Sequence, residues 1–460
     1  MPKKKTALTI EERLQQALVP AEEQPYAVPE NWVWVRLESV ASWGSGGTPS
    51  RKHEEYYNGD ILWIKTGELN NGWIYDTEEK ITDEGLKKSS AKLFPPYSVL
   101  IAMYGATIGK VAILGVPATT NQACACAVCN QSLLYMYLFY YCISQKNVFI
   151  EKGKGGAQPN ISQIILKQHP IPLPPLSEQQ RIVERIEELF AKLDEAKERL
   201  QEVADSFAVR KAAILHKAFT GELTKQWRWE NGVSDESWEE ITWGSFIEKI
   251  EAGKNWNALG RPPENGEFGV VKVSAVTWGE FLEDESKTCT EESQWNEEKR
   301  ISVGDFLFSR ANTIQLVGNC VIVKDVKRKL MLSDKILRFS FSERVYDFFA
   351  LWYTRTSSYR KQIESVASGN QDGMRNISQN NMKTIIFPLP TLTEQHEIVR
   401  LIDDLLARER AAQQATEQAL ASIDLMKKSI LARAFRGELG TNKASEASAL
   451  ELLKQVLAED

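Results

Sequence analysis

The chain has 460 residues, with 56 Lys and Arg against 62 Asp and Glu and a net charge of −6. That length accommodates two to four domains with cores of their own. An acidic balance argues against a protein that grips DNA unaided, because counterion release needs clustered Lys and Arg. The longest apolar run, residues 133–143, is too short to span a bilayer, and Met1-Pro2-Lys3-Lys4-Lys5 leads into no apolar signal core. The expectation is a cytoplasmic protein with no membrane partner.

Residues 1–24 place Leu8, Ile10, Leu14, Ala17 and Leu18 at helical spacing, closed by Pro20. From Val40 to about His169 the texture turns to short apolar runs between Gly, Pro and Asn. Ile61-Leu62-Trp63-Ile64-Lys65, Ser98-Val99-Leu100-Ile101-Ala102 and Val111-Ala112-Ile113-Leu114 read as strands, and residues 133–151 as a helix. The second half repeats this order. Phe268-Gly269-Val270-Val271-Lys272 answers the first strand, residues 304–310 the second, residues 316–321 the third, and residues 348–366 the helix. Each half is therefore a mixed α/β unit with a mostly β body.

The duplication is sharpest between residues 160 and 223. That stretch opens Asn160-Ile161-Ser162-Gln163, passes Ile171-Pro172-Leu173-Pro174 and Leu176-Ser177-Glu178-Gln179, and closes Ala218-Phe219-Thr220-Gly221-Glu222-Leu223. It recurs as Asn376-Ile377-Ser378-Gln379, Phe387-Pro388-Leu389-Pro390, Leu392-Thr393-Glu394-Gln395 and Ala434-Phe435-Arg436-Gly437-Glu438-Leu439, 216 residues later at both ends. Pro29-Glu30-Asn31-Trp32 has a further echo in Asp235-Glu236-Ser237-Trp238.

Between the landmarks, Ile182, Ile186, Leu189, Leu193, Ala196, Leu200, Val203 and Phe207 follow a heptad seam. The second copy has Ile398, Ile402, Leu405, Ile423 and Ile430, weakened at Glu409 and Thr416. Ser177 and Thr393 sit where an N-cap hydroxyl would start each helix, and Gly221 and Gly437 where a glycine would end it. Each helix would be roughly 60 Å long. So long a seam needs a partner, and antiparallel pairing of the two copies supplies one.

Candidate chemistry is thin. Cys124, Cys126 and Cys129 suggest a metal site, but Ala-Cys-Ala-Cys-Ala-Val reads as a buried strand, and Leu337 and Phe339 stand at the places taken to match. We expect no metal site. Gly105-Ala106-Thr107-Ile108-Gly109-Lys110-Val111 is one residue short of a P-loop and Val111 offers no hydroxyl, so it reads as a strand turn. Glu78-Glu79-Lys80 could end a nuclease motif, but such triplets arise by chance. Of the four histidines His53, His169, His216 and His396, neither of the two on the repeated helices recurs in the other copy. With no Asn-Pro-Pro-aromatic motif and no Gly-rich cofactor loop, no catalytic residue is expected.

Two variable globular units, each followed by a long helix introduced by Pro-Leu-Pro and Leu-(Ser/Thr)-Glu-Gln and ended by Ala-Phe-(Thr/Arg)-Gly-Glu-Leu, closely resemble the specificity subunit of type I restriction-modification enzymes. The resemblance takes in Lys225-Gln226-Trp227-Arg228 and an Ala/Leu-rich C-terminal segment. It implies two target-recognition domains reading the halves of a bipartite, asymmetric site in double-stranded DNA, with an antiparallel intramolecular coiled coil setting the gap. Two methyltransferase subunits would dock along the helices and carry S-adenosylmethionine and N6-adenine chemistry. Two restriction and motor subunits would carry ATP and Mg²⁺, leaving no cofactor on this chain. The expected division is an N-terminal helical tail (1–24), recognition domain (25–170), spacer helix (171–225), recognition domain (226–386), spacer helix (387–440) and tail (441–460).

Base readout favours Arg, Lys, Asn and Gln on loops beside a sheet. The candidates are Arg51, Lys65, Tyr104, Lys110, Lys152 and Lys154 in the first unit and Lys272, Arg310, Asn312, Lys335 and Arg375 in the second. Lys152-Gly153-Lys154-Gly155-Gly156 reads as a flexible basic loop, with residues 368–375 as its polar counterpart. Two competing readings remain: a non-catalytic adaptor whose duplicated domains bind proteins, and a nuclease hidden in one unit, which would cleave DNA with Mg²⁺ in isolation.

Overall fold

The apolar runs that alternate poorly in the sequence are strands buried on both faces. In the computed structural model, which describes residues 9–153, 159–371 and 374–459, the chain forms two compact units. One comprises residues 1–200 and 419–460, the other residues 201–418. Each long helix, Leu176–Phe219 and Leu392–Phe435, therefore gives one half to each unit.

The main sheet of the first unit has the order Ala41–Ser45, Cys124–Cys129, Val99–Ala102, Val111–Leu114, Gly72–Ile74. Val99, Ile101, Val111, Ile113, Ala125 and Ala127 face a core shared with helices. Leu100, Ala102, Ala112, Leu114, Cys124 and Cys126 face a second core. Sandwiching a sheet between two cores demands apolar residues on both faces, which erases the alternation of period two. The second unit repeats the arrangement with Ile247–Ala252, Ile336–Phe341, Phe306–Ser309 and Cys320–Ile322. A smaller sheet accompanies each main one. In both, a strand pairs in parallel with a later one, Tyr57–Ile64 with Thr119–Thr120 and Phe268–Val271 with Lys329–Met331.

This register corrects the expected match of the cysteines. Val99 pairs with Ala127 and Phe306 with Phe339, so Leu337 and Phe339 correspond to Ala125 and Ala127. Cys124 and Cys126 point to the opposite face, into the second core, and all six thiols are free. The glycine-flanked segment is the expected turn between two antiparallel strands. Gly109 and its counterpart Gly318 have φ of 74° and 83°, and an added Cβ on Gly318 would come within 2.8 Å of Ile363. Both the left-handed backbone and the close approach call for glycine.

The expected helix over residues 133–151 is two, Tyr135–Ser144 and Lys146–Lys152, and its counterpart is also two, Asp347–Tyr353 and Ser357–Val366. In the second, Thr356 interrupts the run by capping Tyr359 N through its hydroxyl. Each globular body is closed by the end of a long helix. Phe435 packs edge-on against Tyr137 and Tyr141 at 5.2 and 5.1 Å, and Phe219 lies 5.0 Å from Phe349 and 5.4 Å from Tyr353. Burying one such ring contributes about 2–3 kcal/mol.

The seam holds near the helix ends and thins toward the middle. Ile182, Ile186, Ile398 and Ile402 are fully buried, and Ile423 and Phe207 nearly so; Ile430 is partly buried against its core. Leu189, Leu193, Leu200 and Leu405 are half-buried, and Leu406 takes the buried place beside Leu405. Ala196 is exposed and Val203 is 42% exposed, against expectation. Near its ends each helix is also covered by a globular body, whereas farther in it leans on the other helix. Opposed charges join the helices there, Lys197 with Asp424 at 3.5 Å in the first unit and Arg210 with Glu409 at 2.9 Å in the second. Glu409 is thus matched by a cation. The buried Thr416 satisfies its hydroxyl on Ala412 O at 2.8 Å. The helix Ile10–Ala17 packs on the last helix, Ala449–Glu459, with Arg13 donating to Leu457 O at 3.1 Å.

Candidate nucleic-acid interface

The duplicated Leu-(Ser/Thr)-Glu-Gln motif holds each globular body in place, and it does so differently from the capping expected of it. The helices begin two residues earlier than such caps require, at Leu176 and Leu392, so Ser177 and Thr393 are inside the first turn. Thr391 supplies the capping oxygen in the second copy, accepting from Glu394 N at 3.4 Å. The acids are fully buried. Trp32 Nε1 donates to Glu178 at 2.8 Å and Trp238 Nε1 to Glu394 at 3.1 Å, which explains the echoed tryptophans. The adjacent amides clasp the loop before the first short helix of each pair. Gln179 receives Leu134 N and donates to Ser132 O and Pro174 O; Gln395 receives Tyr346 N and donates to Arg344 O and Pro390 O.

The Pro-Leu-Pro strand is anchored by the same logic. Pro170–Leu173 pairs with Val33–Arg36 and Ile386–Leu389 with Glu239–Thr242, both antiparallel. Tyr137 and Tyr353 donate their hydroxyls to Pro172 O and Ile386 O at 2.8 and 2.7 Å. Proline is tolerated because these are two-stranded sheets with free edges.

On this frame the described candidate residues of the first unit fall into two pairs and a lone Lys152, and those of the second into Lys272 and a group of four. In the first unit, Arg51 and Lys65 meet at Glu79, at 2.7 and 2.8 Å, with the Arg51 guanidinium 4.4 Å above the Tyr57 ring. The hydrogen bond to Glu79 holds Lys65 above the ordinary lysine range. Glu79, the middle of the triplet weighed as a nuclease fragment, is thereby engaged by two cations. Tyr104 and Lys110 bracket the turn between strands Val99–Ala102 and Val111–Leu114. Tyr104 is 44% exposed and bridges to Asn160, and Lys110 is half-buried.

Lys152 ends the helix Lys146–Lys152 instead of lying in a loop, and its Nζ is 3.0 Å from Nδ1 of the buried His169. Burial lowers both, His169 to about 3. Lys154 and residues 155–158 lie outside the described residues.

In the second unit, Lys272 lies 3.9 Å from Glu285, as Lys65 lies beside Glu79. Arg310, Asn312, Lys335 and Arg375 are brought together. Arg310 N donates to Lys335 O at 3.0 Å, and Asn312 is in register with Arg375. Asn312 also donates to Thr277 at 3.2 Å, and Arg375 Nη1 to Gly369 O at 2.6 Å. The loop expected at residues 368–375 is a short hairpin, Ser368–Gln371 with Met374–Asn376; residues 372–373 lie outside the described residues.

Backbone bonds align the two units position by position. Ile161 N donates to Met103 O, and Ile377 N to Arg310 O; Met103 N donates to Ala123 O, and Arg310 N to Lys335 O. Met103 and Ala123 thus stand where the second unit carries Arg310 and Lys335. The fold also assembles an exposed aromatic group on the first unit that no motif in the sequence marks: Trp73 packs against Tyr75, Tyr97 and Tyr135 at 6.1, 6.2 and 5.9 Å. Its members lie up to 62 residues apart in the chain, so no local spacing marks it. Among the described residues there is no cluster of His, Cys, Asp and Glu that could hold a metal, and no helix is long and apolar enough to cross a membrane.

The comparisons agree with this architecture. The family described as type I restriction modification DNA specificity domain matches residues 29–205 and again residues 235–420. The chain is 26% identical to the type I restriction enzyme EcoKI specificity subunit of Escherichia coli K12, covering 94% of this chain and 96% of the relative. It is 25% identical to the StySPI specificity subunit of Salmonella potsdam over the same shares. Among solved structures, the HsdS subunit from Thermoanaerobacter tengcongensis aligns with a TM-score of 0.63 at 19% identity, over 91% of this chain and all of that one. A chain from a structure of type I R-M complex assembly and conformational transition aligns at 0.66, also 19% identical, over 90% of this chain and all of that one.

Proposed function

The chain belongs to the type I restriction-modification DNA specificity family, and from that membership we propose that its two recognition domains read the two halves of a bipartite, asymmetric DNA site. The observation that carries the reading is the pairing of equal backbones with unequal side chains, Arg310 and Lys335 against Met103 and Ala123. Two readers of different half-sites need one scaffold and two surfaces, since bases are distinguished by side-chain donors and acceptors in the groove. Arg310, Asn312, Lys335 and Arg375 form the second unit's reading group, and Tyr104 and Lys110 the first unit's. Arg51, Lys65 and Lys272, each beside an acid, position phosphates.

The chain itself performs recognition. Methyltransferase subunits supply S-adenosylmethionine and N6-adenine transfer, restriction subunits supply ATP-driven cleavage with Mg²⁺, and two of each join the complex. Such partners account for the acidic net charge, because they share the phosphate contacts. The paired helices fix the gap, and a heptad added to each adds about 10 Å of rise, close to three base pairs.

Mapping methylated adenines in DNA from cells carrying the system tests this. Lys335→Ala with Arg310→Ala is expected to relax one half-site and leave the other intact. A matched heptad insertion in both helices should lengthen the gap alone. Loss of both half-sites from the double alanine variant would overturn the assignment.

A further inference from the structure

Two clefts occupy matching places in the two units. In the second unit a cavity of about 520 Å³ opens beside the last turns of the first long helix, lined by Leu215, Phe219, Tyr353 and Ile386. In the first unit a cavity of about 550 Å³ opens beside the last turns of the second long helix, lined by Leu431, Phe435, Ile143 and Tyr26. Leu215 and Leu431, Phe219 and Phe435, Ala212 and Lys428, and His216 and Ala432 are each 216 residues apart and line the clefts in pairs. Each cleft also reaches the break between the two short helices, at Ser144 and Gln145 in one unit and at Arg355 and Thr356 in the other. The cleft is therefore part of the duplication.

The rims differ in charge. In the first unit Lys146, Lys428 and Arg436 are exposed, and among the described residues none of them enters an ion pair. The second unit's rim is mixed, with Lys361, His216 and Glu240. Cations alone would suit a DNA phosphate. An apolar floor common to both clefts, and an acid on one rim, suit a protein side chain instead, because phosphate gains nothing from Leu, Phe and Tyr. A cleft that occurs twice in one chain fits the same segment presented by two copies of a partner.

We propose that each cleft receives the same amphipathic segment of one methyltransferase subunit, an apolar side chain seated over the Leu and Phe of the long helix and an acidic one facing the rim cations. This rests on the reading that two such subunits bind the chain, and it names where they engage. The acid has its strongest counterpart in the first unit, so attachment there is the more salt-sensitive of the two.

Ala432 and Ala212 line the clefts from exposed helical positions, so Ala432→Trp and Ala212→Trp fill them without touching the cores. The full chain, co-expressed with the methyltransferase subunit of its own system, is weighed by native mass spectrometry. Wild type is expected to carry two subunits, each single variant one, and the double variant none. Lys146→Glu with Lys428→Glu is expected to weaken the first-unit attachment roughly tenfold and flatten its salt dependence, and it carries the test if a tryptophan variant does not fold. Variants that keep two subunits at wild-type affinity overturn the proposal. So does a loss of DNA binding with both subunits retained, which would assign the clefts to phosphate. A wild-type chain that takes up no methyltransferase would overturn the underlying reading instead.

Discussion

The two units solve one structural problem with different chemistry, and the buried acids of the duplicated motif show it most clearly. Glu178 is held by neutral donors, the indole of Trp32 and the amide of Asn442, both at 2.8 Å. Glu394 receives Trp238, but also Thr224 at 2.6 Å and the guanidinium of Arg228 at 2.7 Å, with Arg228 itself almost fully buried. The difference follows from what the chain does after each long helix. After the first it continues as the short helix Lys225–Glu230, which delivers Arg228. After the second it turns through Thr441 and Asn442, and Arg181 pairs with Glu446 at 2.8 Å nearby. The same anchor is therefore ionic in one unit and neutral-partnered in the other.

Substitution of the acids should break that parity first. Glu394→Ala leaves the buried guanidinium of Arg228 with Asp235, at 2.9 Å, as its one acidic partner among the described residues and is expected to cost the second unit about 3 kcal/mol, the lower end of the cost of breaking a buried pair. Glu178→Ala leaves only neutral donors unsatisfied and is expected to cost about 1–3 kcal/mol. Urea unfolding of the two variants, followed by the tryptophans of each unit, measures the gap; equal losses would mean that Arg228 adds nothing to its anchor.

A second contrast is acid sensitivity. His169 in the first unit stands where the second has the buried apolar Ile385. Burial holds His169 at about 3, with Lys152 adding to the effect. The unfolded imidazole takes up a proton near pH 6.5 while the folded one does not, so this contribution is intact above that pH. It is lost as the pH falls from about 6.5 toward 3, at up to about 1.4 kcal/mol per unit. His169→Ile should flatten the stability of the first unit between pH 6.5 and 4.5, by about 2–3 kcal/mol at the lower end. An unchanged pH profile for the variant would remove His169 from the account.

The smallest contrast is at the reading surface. Arg310→Met, which copies the first unit's residue into the second, is expected to cost about 1–3 kcal/mol of discrimination at one base pair. Lys272→Ala, at a phosphate-positioning lysine, is expected to reduce the slope of log affinity against log salt by about 0.9 with no change of preferred sequence. Competition binding of the assembled complex to single-mismatch duplexes separates the two effects. A change of preference in the lysine variant would move Lys272 from phosphate to base contact.

Much of the architecture was legible because it is written locally and twice. Strand segments, the turn at Gly109, the long helices and their glycine stops all follow from short-range sterics and periodicity. The roles of Glu178 and Glu394 were not legible. An acid in a first helical turn fits a surface helix start, and nothing near it tells that a tryptophan 146 or 156 residues earlier will cover it. The candidate DNA residues show the same limit. Arg310 and Lys335 meet through a strand pairing, Arg51 and Lys65 through a shared glutamate, and Lys152 against a buried histidine. Only the fold separates these three fates.

The sequence by itself determined that the chain is a duplication, that its halves are α/β bodies with long helices between, and which family it belongs to, because those features rest on order, spacing and local conformational preference. The tertiary structure decided which face of each strand is which, which half of each long helix serves which unit, and which cations stand together. Those depend on register and on contacts between residues far apart in the chain, where one residue of slip moves every side chain to the other face.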